Sequence, residues 1–263
     1  MPIKASSLAL ALLLAFISLV LPPEGREDKV EKVAYSDLFT VTAEYPHNTS
    51  SFTQGLFFYG GELYESTGRY GESKVYKNVD LNSGIASQSY SFDDKIFAEG
   101  STVFDGKLYV LTYKENTVFV MNPDTLEVEK SIPYTRQGWG LTTDGEYLIA
   151  SDGSDKLFFM DGELRDVASV SVTLNGEPLR NINELEYVDG KILANIWLTD
   201  NIAVINPESG KVISMLDFSG IFNNQSTDVN DVLNGIAFNS ENGKLYVTGK
   251  RWSTLFELEY NII

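Results

Sequence analysis

Gly61-Glu-Leu-Tyr64, Gly106-Lys-Leu-Tyr109, Gly145-Glu-Tyr-Leu148, Gly190-Lys-Ile-Leu193 and Gly243-Lys-Leu-Tyr246 are one phrase written five times: a glycine, a charged residue, then apolar or aromatic residues. The glycines stand 45, 39, 45 and 53 residues apart, the length of a four-stranded propeller blade. A short strand precedes each phrase, over 53–58, 99–104, 140–143, 184–188 and 234–239. An apolar run follows it, over 74–80, 117–122, 156–161, 202–206 and 254–259. Turns such as Asn122-Pro-Asp-Thr125 and Asn206-Pro-Glu-Ser-Gly210 then lead to a fourth strand over 87–92, 128–133, 168–173 and 212–218. The fifth unit has no fourth strand of its own, and 38–45 supplies one from the other end of the chain. A terminal strand that completes the last blade closes the ring and removes exposed sheet edges. The expected fold is therefore all-β, a five-bladed propeller closed by its amino-terminal strand, with an open sandwich as the alternative. No long helical period follows the strands, which disfavours α/β architectures.

Composition narrows the chemistry. The 263 residues include no cysteine, which excludes disulfides, thiolate metal sites and thiol nucleophiles. The single histidine, His47, rules out a multi-histidine metal centre. A formal net charge of −17 disfavours nucleic acid as a partner, since phosphate binding needs clustered Lys and Arg.

Lys4 precedes a largely apolar run over 5–21, then Pro22-Pro23 and a charged run over 24–32. Residues 1–23 read as a secretory signal peptide or an uncleaved membrane anchor, and 24–35 as a charged linker. Residues 36–263 read as the propeller domain. Either alternative implies a location outside the cytoplasm.

In a propeller the first strand of each blade lines the central channel. Alignment on the glycine phrase puts Gln54-Gly55, Glu99-Gly100, Trp139-Gly140, Glu184-Leu185 and Asn234-Gly235 at equivalent places. The residue before the mostly kept glycine is amide, acid, indole, acid and amide. Unlike polar groups converging on one axis describe a binding pocket, or else a water-filled channel. Phe52, Phe97, Trp139, Trp197 and Trp252 lie close to these positions and suit either pocket walls or inter-blade packing. Glu99 is the candidate for proton chemistry. Beside Phe97 and Ala98 its carboxyl loses hydration, and its pKa should rise. A structural carboxylate on backbone N–H groups is the alternative. Lys250 is the one cation placed near the channel, unless it is an exposed strand lysine.

The phrases Phe52-Thr-Gln-Gly-Leu56, Tyr64-Glu-Ser-Thr-Gly68, Phe97-Ala-Glu-Gly100, Gly138-Trp-Gly-Leu-Thr142, Ser151-Asp-Gly-Ser154, Asn183-Glu-Leu-Glu-Tyr187, Asn195-Ile-Trp-Leu-Thr-Asp200, Leu233-Asn-Gly-Ile-Ala237 and Val247-Thr-Gly-Lys250 resemble the plant-type glutaminyl cyclase (glutamine cyclotransferase) family. The resemblance runs from about Tyr45 to Glu259, in order, through every blade. It implies a five-bladed, metal-independent, cofactor-free enzyme that turns the amino-terminal glutamine of a peptide into pyroglutamate and releases ammonia. By resemblance Glu99 shuttles the proton. Gln54, Asn183 and Lys250 hold the amide and the oxyanion, and Phe52, Phe97, Trp139 and Trp197 form the walls. Glu184, Asn234 and Trp252 are further candidates to touch substrate. Where the family commonly has Leu-Thr-Trp-Lys, this chain has Leu111-Thr-Tyr-Lys114, so Tyr113 changes the wall.

Two other readings remain at this stage. One is a non-catalytic propeller that binds peptides or cationic ligands in the channel. The other is a metal-dependent sugar-lactone hydrolase using Glu99, Glu184 and Asn234. Asn48-Thr-Ser50 and Asn224-Gln-Ser226 fit the N-glycosylation pattern, and 222–231 reads as a polar loop near the channel mouth.

Overall fold

The computed structural model describes residues 29–223 and 225–260. The expected signal or anchor over 1–23, the first part of the expected linker and the glycosylation candidate Asn224 lie outside the described residues. Four-stranded antiparallel sheets repeat five times around one axis. Blade one is Thr53–Tyr59, Glu62–Thr67, Lys74–Asp80 and Ile85–Ser91. Blade two is Ala98–Phe104, Lys107–Thr112, Thr117–Met121 and Val128–Pro133. Blade three is Leu141–Thr143, Leu148–Ser151, Lys156–Met160 and Asp166–Ser171. Blade four is Ile182–Val188, Lys191–Ile196, Asn201–Ile205 and Val212–Asp217. Blade five is Leu233–Asn239, Lys244–Gly249 and Thr254–Tyr260, and Phe39–Pro46 pairs antiparallel with Thr254–Tyr260 as its outer strand. The ring closes as the sequence predicts.

The repeated glycine phrase has a steric origin. At Asp105-Gly106 and Asp189-Gly190 both turn residues have positive φ, the geometry of a two-residue hairpin that matches strand twist. The apolar cores lie between blades. Ile149 and Leu157 of blade three meet Ile192 and Ala203 of blade four, and Val204 and Leu216 of blade four meet Ile236 and Val247 of blade five.

One boundary differs from the sequence reading. Lys32–Ala34, assigned to the linker, is a strand parallel to Val212–Asp217, followed by one helical turn over Tyr35–Leu38. The folded body therefore begins before Ser36. Three residues of mixed polarity carry no readable period, yet they cover the outer edge of blade four. A second addition, the ribbon Thr173–Leu174 with Glu177–Pro178, holds the amino-terminal segment: Val30 N donates to Asn175 Oδ1 at 2.6 Å.

The axis is braced by buried acids on the first strand of blade four. Glu184 accepts from Leu56 N at 3.3 Å and Ile236 N at 2.9 Å, tying blades one and five to blade four. Glu186 accepts from Phe238 N at 2.9 Å and from the Thr142 hydroxyl at 3.5 Å. Burial pushes the Glu186 carboxyl up to about 8, against the opposing pull of those donors. A carboxyl raised on folding stabilises the fold below its unfolded value, and that contribution is lost as pH rises through the folded one. This group alone should remove about 1.4 kcal/mol per pH unit between roughly 4.5 and 8. Glu186→Gln is expected to flatten the decline of the unfolding temperature between pH 5 and 8. Glu184 and Glu99, raised by burial too, leave a residual slope. An unchanged slope in the variant would remove Glu186 as the cause.

His47 closes the ring from the other side. Its Nδ1 lies 2.8 Å from the Trp252 carbonyl and its Nε2 lies 3.1 Å from Glu65 Oε1. Burial lowers its pKa, but the Glu65 charge and the hydrogen bonds outweigh burial and the net shift is upward. Acceptors at both nitrogens favour the charged form of the ring, which links Trp252 of blade five to Glu65 of blade one.

Candidate active site

A cavity of about 590 Å³ opens at one end of the axis. Nine of the twelve candidate residues line it: Gln54, Glu99, Asn183, Lys250, Phe52, Phe97, Tyr113, Trp139 and Trp197. Glycines place the aromatic walls. A Cβ on Gly68 would lie 2.3 Å from the Phe97 ring, and one on Gly153 would lie 2.6 Å from the Trp139 indole. Each ring therefore rests directly on a neighbouring strand end. Phe97 meets Phe52 edge-on at 6.3 Å and Tyr113 at 5.6 Å, and Trp139 meets Trp197 edge-on at 5.5 Å. Tyr113 thus forms an aromatic wall, and Lys114 Nζ lies 4.3 Å over its ring.

Glu99 is only 5% exposed. Burial pushes its carboxyl well above the usual range, with Lys250 pulling the other way and Glu115 adding to the rise. Its backbone carbonyl accepts from the Ser66 hydroxyl at 2.7 Å, which ties blade two to blade one. Lys250 sits just past the second strand of blade five. Its N–H donates to Val232 O at 2.9 Å, and the next residue, Arg251, donates to Ser51 O at 2.7 Å. Burial pushes the Lys250 ammonium down to about 8, although Glu99 and Asp231 favour its charge. The ammonium lies 4.8 Å over the Phe52 ring, a cation–π contact in a poorly hydrated setting. Gln54 Oε1 accepts from Asn234 Nδ2 at 3.3 Å, and Asn234 Nδ2 also donates to Thr53 O at 2.8 Å.

Glu184, Asn234 and Trp252 do not line the cavity. Glu184 spends its oxygens on backbone N–H groups, so it is the bracing carboxylate that the sequence left open as an alternative for Glu99. Asn234 lies behind Gln54 and fixes it. Trp252 packs beneath the site, stacked on Phe222 at 4.6 Å, with its indole N–H donating to Asp231 O at 3.3 Å. Strand irregularities explain the difference. Pairing registers shift between Thr53/Gly55, Ala98/Ser101, Ile182/Leu185 and Leu233/Ile236, where Gln54, Glu99, Asn183 and Asn234 sit. A bulge re-aims side chains beside a site, so Asn183 rather than Glu184 faces the cavity from blade four.

The structure adds lining residues that the sequence reading did not single out: Arg69, Tyr70, Glu72, Asp228 and Asn230. They stand on loops at the rim. Arg69 Nη2 pairs with Asp228 Oδ2 at 2.7 Å, joining blade one to the polar loop before blade five. The only sequence signal for them was the expectation that 222–231 lies near the mouth.

A five-bladed propeller that collects an acid, two amides and a lysine under aromatic walls at one end of its channel defines a class of proteins with a small polar-ligand pocket on the axis. Within that class, the chain belongs to the glutamine cyclotransferase family, whose model spans residues 11–260. It is 38% identical over 226 residues to a glutaminyl-peptide cyclotransferase of Arabidopsis thaliana, covering 83% of this chain and 70% of that relative. It also matches the crystal structure of Myxococcus xanthus glutaminyl cyclase with a TM-score of 0.81 and 34% identity, covering 90% of this chain and all of that one.

Proposed function

We propose that this chain is a metal-independent glutaminyl-peptide cyclotransferase, an acyltransferase in which Glu99 is the general acid and base. The observation that carries the reading is the buried Glu99 carboxyl at the cavity, held above its ordinary range and flanked by Gln54, Asn183 and Lys250.

The substrate's amino-terminal glutamine folds so that its α-amine faces its own side-chain carbonyl carbon. Holding that geometry supplies on the order of 7–11 kcal/mol of the barrier. The amine nitrogen attacks, the new C–N bond forms and the carbonyl oxygen becomes an oxyanion. The Lys250 ammonium and the amide N–H groups of Gln54 and Asn183 suit that charge, because donors fixed in a water-poor site need no reorganisation. Glu99 receives the proton that the amine loses and passes it to the departing amide nitrogen. The old C–N bond breaks, ammonia leaves and the ring carbonyl re-forms. A carboxyl poised above its ordinary range serves both transfers, worth roughly 100- to 10,000-fold. Every proton is accounted for by substrate and Glu99, so the sequence of steps asks for no Lewis acid.

Purified protein with a glutamine-leading peptide is expected to release ammonia and shorten the peptide mass by one NH₃, at the same rate with and without a chelator. Absence of turnover by folded protein would overturn the reading, and peptide binding without turnover would leave a peptide-binding propeller. Loss of activity to a chelator would overturn the metal-free part alone.

A further inference from the structure

We infer that Arg69 reads the residue that follows the substrate's amino-terminal glutamine and favours a carboxylate side chain there, an inference that rests on the cyclotransferase reading above. Depth in the cavity gives the location. Glu99, Gln54 and Asn183 are buried at its floor, and the first substrate residue belongs with them. The peptide must leave past the rim, where the side chains of Arg69 and Asp228 are 31% and 34% exposed.

Spare hydrogen-bonding capacity gives the chemistry. Asp228 has three of its roughly four acceptor positions filled. Its Oδ1 accepts from Asn230 N at 3.0 Å and from Asn230 Nδ2 at 2.9 Å, and its Oδ2 accepts from Arg69 at 2.7 Å. These bonds, Asn230's first, hold its carboxyl down at about 2, so it stays a fixed anion within its loop. Arg69 is the opposite case. Of its five N–H donors only Nη2 has a hydrogen-bond acceptor among the described residues, and its Nε is buried without one.

The guanidinium is nevertheless held in place, 4.5 Å over the Phe52 ring and paired with Asp228 at 2.7 Å. A planar fork with free donors, fixed at the mouth, suits a two-oxygen acceptor. Of the other acids on this side, Glu115 accepts from the Tyr70 hydroxyl at 2.9 Å. Glu72 faces Arg251 at 3.7 Å, and Lys250 adds a second positive charge over the same ring. A lysine in the second substrate position would meet both cations.

The test compares kcat/KM for three tripeptide amides that begin Gln-Glu, Gln-Ala and Gln-Lys, with the terminal amide removing any competing carboxylate. The native protein should rank them in that order, with Glu over Lys by at least about fivefold, expressed in KM, and the gap should narrow in high salt. Arg69→Gln should bring the Glu-to-Lys ratio to within about twofold of one. Arg69→Lys, which keeps the charge but loses the fork, should retain part of it. Equal rates for all three peptides with the native protein would overturn the inference and leave the cyclotransferase reading standing. So would an equal loss on all three in Arg69→Gln, which would make Arg69 a prop for Phe52. No turnover of any of the three would overturn both.

Discussion

Glu99→Gln is expected to lower kcat by about 100- to 10,000-fold while the propeller remains folded. The substitution keeps the shape of the side chain and removes only its ability to exchange a proton. Burial already disfavours the charged carboxylate, so the neutral amide suits the same setting, and Asp231 still favours the charge on the neighbouring Lys250 ammonium. The sign of the stability change follows from the same shift. A carboxyl raised on folding stabilises the protein at low pH and loses that contribution as pH climbs through its folded value. The variant should therefore gain stability relative to the native protein toward alkaline pH. Two measurements decide the matter: turnover of a glutamine-leading peptide, and unfolding temperature against pH. A fully active variant would remove Glu99 from proton transfer. An inactive variant that is also unfolded at every pH would make Glu99 a structural residue. Substrate binding should suffer far less than kcat, because Gln54, Asn183 and Lys250 remain in the pocket.

The architecture was legible because each blade repeats one steric demand. Every blade enters its second strand through a glycine at positive φ (Gly61, Gly106, Gly145, Gly190 and Gly243), and that demand survives in the sequence whatever the strands around it contain. The closing strand could be read for a similar reason, since a blade lacking its outer strand leaves an edge that something must cover. The pocket was legible one level less well. First-strand positions map to the axis, which located Gln54, Glu99 and Trp139. But side chains alternate along a strand, and a bulge of one residue exchanges the two faces. Spacing alone therefore grouped Glu184 and Asn234 with the pocket, where the structure has Asn183 lining the cavity, Glu184 bracing the axis and Asn234 holding Gln54. Trp252 was grouped by nearness in sequence, but Gly249 lets its indole fold beneath the site: a Cβ there would lie 2.3 Å from the ring. Arg69 and Asp228 come from loops with no period, and their contact spans 159 residues, which no local pattern encodes.

Gly140→Ala carries the second large effect, and it tests whether the fold positions the site in the way the distances imply. A Cβ on Gly140 would lie 2.0 Å from the Asn183 carbonyl oxygen and 2.9 Å from Glu184 Cα, both backbone atoms of the next blade's first strand. Neither is the free end of a side chain, so one strand must move. Ser151 adds to the constraint: its hydroxyl accepts from Gly140 N at 2.8 Å and donates to the same Asn183 carbonyl at 2.7 Å. Overpacking of this kind costs roughly 1–3 kcal/mol. For a domain of this size that lowers the unfolding temperature by roughly 2–10 °C. The displaced strand carries Asn183 in the pocket and Glu184 on the axis, and a shift of about 1 Å at a positioning group costs on the order of 100-fold in rate. Gly106→Ala is the comparison. Its turn glycine has φ of 70° with nothing within 4 Å of an added Cβ, so the change strains the backbone by about 1 kcal/mol and leaves the pocket alone. The expected contrast is a modest loss of stability at Gly106 with full activity, against losses of both at Gly140. If Gly140→Ala matched Gly106→Ala in turnover, blades three and four would not meet at this glycine, and its part in positioning Asn183 would fall with it.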